Sequence, residues 1–184
     1  MEIKNFEKSL QLAVDLKYRR ITDRLIVHHS SSENDTKEII LDWHLNGRKW
    51  PHMGYHFIID KEGIGWSCLP KQVEGIHAYG FNQRSIGICL IGNFNEHLPR
   101  KAQLESLSEL CVSLVKEYDL RYWQIYGHGS QRLMKIFKTT RTACPGKYLQ
   151  RELPNVRITA GIEANQITLH KWEKESIARE MKKC

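Results

Sequence analysis

Three widely separated segments of this chain carry residues that look like one metal site. Any fold it adopts must then bring those segments together. They are a histidine of the pair His28-His29, at the end of the apolar run Arg24-Leu-Ile-Val-His-His29, then His128, and then Cys144 just before Pro145 and Gly146. Two imidazoles and one thiolate can hold a zinc ion and leave a fourth position open, which separates a catalytic zinc from a structural one. Neighbouring side chains on a strand point to opposite faces, so only one of His28 and His29 can look into the site.

The rest of the chain supplies the frame. Residues 3–18 place Phe6, Leu10 and Val14 at four-residue intervals, which predicts an amphipathic helix. Asp35 or Thr36 can cap a helix running to about Arg48, with Ile39, Ile40, Trp43 and His44 toward the interior. Gly54–Asp60 and Ile64–Leu69 read as strands joined by the turn Lys61-Glu-Gly63. Residues 70–85 are loop-like, and Ile86–Gly92 reads as a buried strand. Leu104, Leu107, Leu110, Cys111, Leu114 and Val115 recur at helical spacing across 100–119, and Gln124–His128 reads as a short strand. A further helix is expected from near Pro145, since proline suits the first helical position. Strands alternating with helices predict an α/β domain with a central sheet. The expected organisation is an N-terminal helical segment (1–20), a catalytic domain (21–153) and a C-terminal helical appendage (154–184).

Composition narrows the function. The longest apolar runs fall well short of the ~18 residues of a membrane-spanning helix, and the charged N-terminus lacks the apolar stretch of a signal peptide. The expectation is a protein made in the cytoplasm, with no stable membrane insertion. The net charge of +7 suits an anionic polymer, but no block of Lys and Arg interleaved with aromatics marks a nucleic-acid surface. The five cysteines are widely spaced, which argues against a disulfide framework.

Seven motifs in order carry a resemblance: Val27-His-His-Ser30, Asp42-Trp-His44, Gly54-Tyr-His-Phe-Ile-Ile59, Ile76-His-Ala-Tyr-Gly-Phe-Asn82, Ser85-Ile-Gly-Ile-Cys-Leu-Ile-Gly92, Gly127-His128 and Ala143-Cys-Pro-Gly146. The set resembles the zinc-dependent N-acetylmuramoyl-L-alanine amidases, whose fold is shared by amidase-type phage lysozymes and peptidoglycan recognition proteins. It covers about residues 24 to 153.

The resemblance implies a mixed β-sheet flanked by helices, with one zinc ion at the floor of a groove, held by His28, His128 and Cys144. It places Tyr55 beside the reacting water and Thr142 near the developing oxyanion. It also places His77 and Asn82 in a loop lining the substrate groove. By residue type alone, His77 equally suits a solvated loop and Asn82 a turn. Trp43 and His44 match the family as core packing.

The implied reaction hydrolyses the amide between N-acetylmuramic acid and the L-alanine of the stem peptide. The implied partner is peptidoglycan or a muropeptide. The preferred role is a phage or prophage endolysin that reaches the cell wall after release. The alternatives are a cytoplasmic muropeptide-recycling amidase and a non-catalytic wall-binding module.

Two features depart from the usual family pattern. Thr142 stands where many relatives carry lysine, and residues 129–143 make a longer interval between His128 and Cys144. Arg132, Lys135 and Lys138 make that interval basic.

Overall fold

The computed structural model describes residues 2–6, 16–130 and 142–168. Six strands build one sheet: β1 (Ile3–Asn5), β2 (Arg24–His29), β3 (Phe57–Ile59), β4 (Gly65–Ser67), β5 (Ser85–Leu90) and β6 (Ile125–Gly127). Their order across the sheet is β1-β4-β3-β5-β2-β6. The β3–β4 hairpin is antiparallel, and the other pairs are parallel. The expected α/β fold with a central mixed sheet flanked by helices is therefore present.

The central strands β2 and β5 read as apolar runs because both their faces are covered. Leu25 and Val27 of β2 share one face with Ile86, Ile88 and Leu90 of β5. Two helices cover that face, α2 (Lys101–Glu117) and α3 (Lys147–Glu163). Leu107, Leu110, Cys111, Leu114 and Val115 form the buried stripe of α2, and Leu149, Leu153, Val156 and Ala160 form that of α3. Both stripes follow the three-to-four-residue period that faces a helix onto a core. Burying a side chain such as Leu107 contributes about 1.5–3 kcal/mol.

The opposite face carries Ile26, His28, Ile58 and Cys89. It is covered by α1 (Lys37–Asp42), by the segment before β3 and by the loop between β4 and β5, through Ile40, Leu41, Met53, Ala78 and Phe81. Thr36 caps α1 by accepting from the Ile39 N–H. The chain then makes one wider helical turn over Trp43–Gly47.

Three expectations fail here. Residues 3–5 are an edge strand pairing with β4, not the start of a helix, and Phe6 is buried against Ile40 and Ile58. Pairing with an open sheet edge overrides a weak helical period. Leu10 and Val14 lie outside the described residues.

The boundary expected at residue 154 falls inside α3. Pro154 sits on the exposed side of that helix, while Leu153 and Val156 on either side are held in the core. Proline deletes one helical hydrogen bond, and burial on both sides carries the helix past it. Among the described residues, Ile3–Asn5 pair into the sheet and 154–163 continue α3.

The third failure concerns α1. Ile40, Leu41 and His44 are buried, but Ile39 and Trp43 are half exposed. Ile39 and Trp43 are four residues apart and share a helix face, and that face looks away from the sheet. Trp43 is therefore not core packing.

Candidate metal centre and groove

The site begins with strand register. β2 and β6 run parallel with Val27 opposite Gly127. His28 and His128 therefore leave the sheet side by side at its carboxyl edge, where open α/β sheets bind ligands. The His128 N–H donates to the Val27 carbonyl at 3.0 Å, and the two imidazole rings lie 4.6 Å apart.

Cys144 arrives from the loop that enters α3. Its carbonyl accepts from the Gly129 N–H at 2.6 Å. A side chain at Gly129 would put a Cβ 2.4 Å from the Thr142 carbonyl oxygen, so this approach requires glycine. The Cys144 N–H donates to Thr142 Oγ1 at 3.2 Å, which fixes the turn before the thiol.

One ligand atom from each of His28, His128 and Cys144 falls within 4.8 Å of the others. Cys144 Sγ lies 3.5 Å from His28 Nδ1. Zinc bonds of ~2.0–2.1 Å to nitrogen and ~2.3 Å to sulfur, at a tetrahedral angle, span about 3.5 Å between those two atoms. The donors therefore fit a zinc ion.

Electrostatics agree with that fit. Burial holds His28 well below the usual imidazole range, helped by His128, His77 and His29. Burial lowers His128 as well. Neutral imidazole is the ligating form. The Cys144 thiol is pushed up to about 12 by burial, with the His29 backbone N–H opposing. A bound cation reverses that balance and favours the thiolate.

His29 points to the other face. It stacks on Phe94 with ring centroids 6.1 Å apart, and its Nδ1 accepts from the Phe94 N–H at 3.2 Å. It is outside the ligand group, as strand alternation requires.

Tyr55 lies beside the centre, its ring 5.1 Å from that of His28. Desolvation raises its phenol well above the usual tyrosine range, and Cys89 and Cys144 add to the shift. A cleft runs outward from Tyr55. Ser30, Ser32 and Asp35 line one part of it, and Ile39, Trp43 and His44 another. Arg48 stacks over Trp43 at 4.3 Å. His44 is buried, stacks on Trp50 at 4.6 Å, and accepts from the Gly54 N–H at 3.2 Å. Sequence reasoning missed Trp43 as a groove residue. The signal available was its four-residue spacing from Ile39.

His77 and Asn82 are both tied into hydrogen bonds within the protein. His77 is buried beneath His28, and both its ring nitrogens contact protein atoms, His28 Nε2 at 3.0 Å and Ser85 Oγ at 3.3 Å. It is not among the residues lining the cleft beside Tyr55. Asn82 Oδ1 accepts from the backbone N–H groups of His77 and Ala78 at 3.0 and 2.8 Å, so its oxygen serves as a turn former. His56, next to Tyr55, is fully buried and accepts from the Gly87 N–H at 2.9 Å. Arg132, Lys135, Lys138 and Arg141 lie outside the described residues.

Fold and donor set together define a class: an α/β domain with a candidate single-metal centre at the carboxyl edge of its sheet. Within that class, the family model described as N-acetylmuramoyl-L-alanine amidase matches residues 17–147. The chain belongs to the N-acetylmuramoyl-L-alanine amidase family.

It is 35% identical over 114 residues to an endolysin of Escherichia phage T7, covering 58% of this chain and 75% of the relative. It is 30% identical over 141 residues to peptidoglycan-recognition protein 2 of Holotrichia diomphalia, covering 72% of each. Among solved structures, the amidase LysC from Clostridium intestinale superposes with a TM-score of 0.71 at 29% identity. That match covers 84% of this chain and 96% of LysC.

Proposed function

We propose that this protein hydrolyses the amide between N-acetylmuramic acid and L-alanine in peptidoglycan, using one zinc ion held by His28, His128 and Cys144. The observation that carries the proposal is the convergence of these three side chains beside Tyr55, which itself lines a cleft. Membership of the amidase family supports the bond class. Similarity to phage endolysins supports a lytic role, acting on the cell wall after release from the cytoplasm.

Zinc held by these residues would supply a Lewis acid and an activated water near neutral pH. The chain's own residues supply the rest. Burial keeps His28 and His128 neutral and able to ligate. The Tyr55 phenol keeps its proton at neutral pH, and desolvation moves it further above its ordinary range. It can therefore donate one hydrogen bond and accept another while orienting the attacking water.

Thr142 Oγ1 already accepts from the Cys144 N–H. Its hydroxyl proton remains for donation to the carbonyl oxygen as charge develops there. Trp43 and Ile39 offer an apolar wall on which a sugar face or stem-peptide side chain can rest.

The test is mass spectrometry of products from defined peptidoglycan. The expected products carry new alanine amino termini without new reducing sugar ends. New reducing ends would identify a glycosidase instead. Binding without turnover would identify a recognition module.

A further inference from the structure

A buried chain of hydrogen bonds runs from His28 away from Cys144. His28 Nε2 meets His77 Nδ1 at 3.0 Å. His77 Nε2 meets Ser85 Oγ at 3.3 Å, and Ser85 Oγ donates to the Phe81 carbonyl at 2.7 Å. The direction of the whole chain follows from its last link.

A carbonyl oxygen only accepts, so the single Ser85 hydroxyl proton is committed to Phe81. Toward His77, Ser85 can then only accept, and Nε2 of His77 must carry the hydrogen. Both rings are buried, and burial favours neutral imidazole. His77 Nδ1 is then a bare acceptor, and His28 must present Nε2–H to it. That leaves the lone pair of His28 on Nδ1, the atom that faces Cys144 Sγ.

We infer that His77 is a positioning residue: with Ser85 behind it, His77 holds His28 in the tautomer and ring orientation that aim Nδ1 at the metal. The inference rests on His28 being a metal ligand, as proposed above. The surroundings are built for this placement. Gly87, on β5, has no side chain where His77 lies; a Cβ there would sit 2.6 Å from the His77 ring. Asn82 holds the His77 backbone from the next turn. Both serve a ring pressed flat against the sheet beneath His28.

Two measurements on the full chain test this. The first is a long-range proton–nitrogen correlation spectrum of the zinc-free protein with nitrogen-15-labelled histidine. His28 and His77 should both carry their hydrogen on Nε2. Ser85→Ala keeps the Ser85 carbonyl that also accepts from the His77 ring, so His77 should hold its Nε2 hydrogen there too. A His77 proton on Nδ1 in either protein overturns the inference.

The second is zinc affinity, read by competition with a chromophoric chelator. His77→Leu removes the acceptor and should weaken zinc binding about 10–100-fold, the usual effect of losing an outer-shell partner. His77→Asn keeps an amide oxygen near the Nδ1 position and should restore most of the affinity. Unchanged affinity in His77→Leu, or no recovery in His77→Asn, also overturns it. Should His77→Leu fail to fold, the spectra of the unaltered protein and Ser85→Ala still decide.

The outcome is separable from the proposed activity. A chain with these tautomers and affinities that releases no alanine amino termini refutes the amidase reading alone. Reversed tautomers in an active amidase refute this inference alone.

Discussion

Cys144 Sγ and His28 Nδ1 lie 3.5 Å apart although 116 positions separate them in sequence. Nothing local produces that contact. Parallel pairing of β2 with β6 sets His28 beside His128, and the Gly129–Cys144 hydrogen bond draws the thiol to both. Two neutral imidazoles and a cysteine sulfur at this spacing would favour zinc over hard, oxygen-seeking cations.

The purified protein should therefore bind about one zinc per chain. His28→Ala, His128→Ala and Cys144→Ser should each lose it, measured by elemental analysis after gel filtration. His29→Ala should keep its zinc yet lose stability. It strands the Phe94 N–H, and a buried donor left unsatisfied costs about 1–3 kcal/mol. Loss of zinc in His29→Ala with retention in His28→Ala would reverse the assignment of the pair.

Tyr55→Phe should retain zinc and lose most activity. The phenol is proposed to touch water rather than metal, and general acid–base or orienting groups contribute about 100-fold or more. A rate unchanged by Tyr55→Phe removes Tyr55 from the mechanism.

Thr142 combines two duties, so its variants should separate them. Thr142→Ser keeps the hydroxyl and should stay close to full activity. Thr142→Val deletes both the donor and the acceptor that fixes the Cys144 N–H. Removing one oxyanion donor costs about 100–1000-fold in kcat. If Thr142→Val matches the unaltered enzyme in kcat, the oxyanion rests on other groups.

Much of this was legible in the sequence because it depended on period and on strand alternation. The apolar stripe of α2 and the opposite facing of His28 and His29 follow from those rules alone. What was not legible depended on tertiary partners. Residues 3–5 became a strand because β4 offered an open edge. The helix ran through Pro154 because Leu153 and Val156 were both anchored. His77 read as a groove residue because its position in the motif says nothing about Gly87, whose missing side chain lets the ring sink beneath His28. Trp43 read as core because a short helix can bury only part of an apolar set, and the pattern does not say which part.

Trp43→Ala follows from that correction. The side chain is 49% exposed, so stability should change little, within about 0.5 kcal/mol for a surface site. KM for peptidoglycan fragments should rise several-fold while zinc content stays the same. A large drop in Tm with unchanged KM would return Trp43 to a structural role.

The buried histidines make stability depend on pH, and the sign can be worked out. Burial lowers His29 and His44 to about 4 and His56 to about 3. In the unfolded chain each takes up a proton near pH 6.5. Between about pH 6.5 and 4 the unfolded state therefore binds more protons than the folded one. Stability should be complete above about pH 6.5 and fall as the pH drops through that window. Each histidine adds about 1.4 kcal/mol per pH unit to the slope where only the unfolded chain is protonated. The measurement is urea unfolding of the zinc-free protein from pH 7 to 4.5, which keeps metal release out of the slope. His44→Asn preserves an acceptor for the Gly54 N–H and removes one titrating group. Its slope should be shallower by about one proton. An unchanged slope would mean that His44 titrates alike in both states and that its burial costs the charged form nothing.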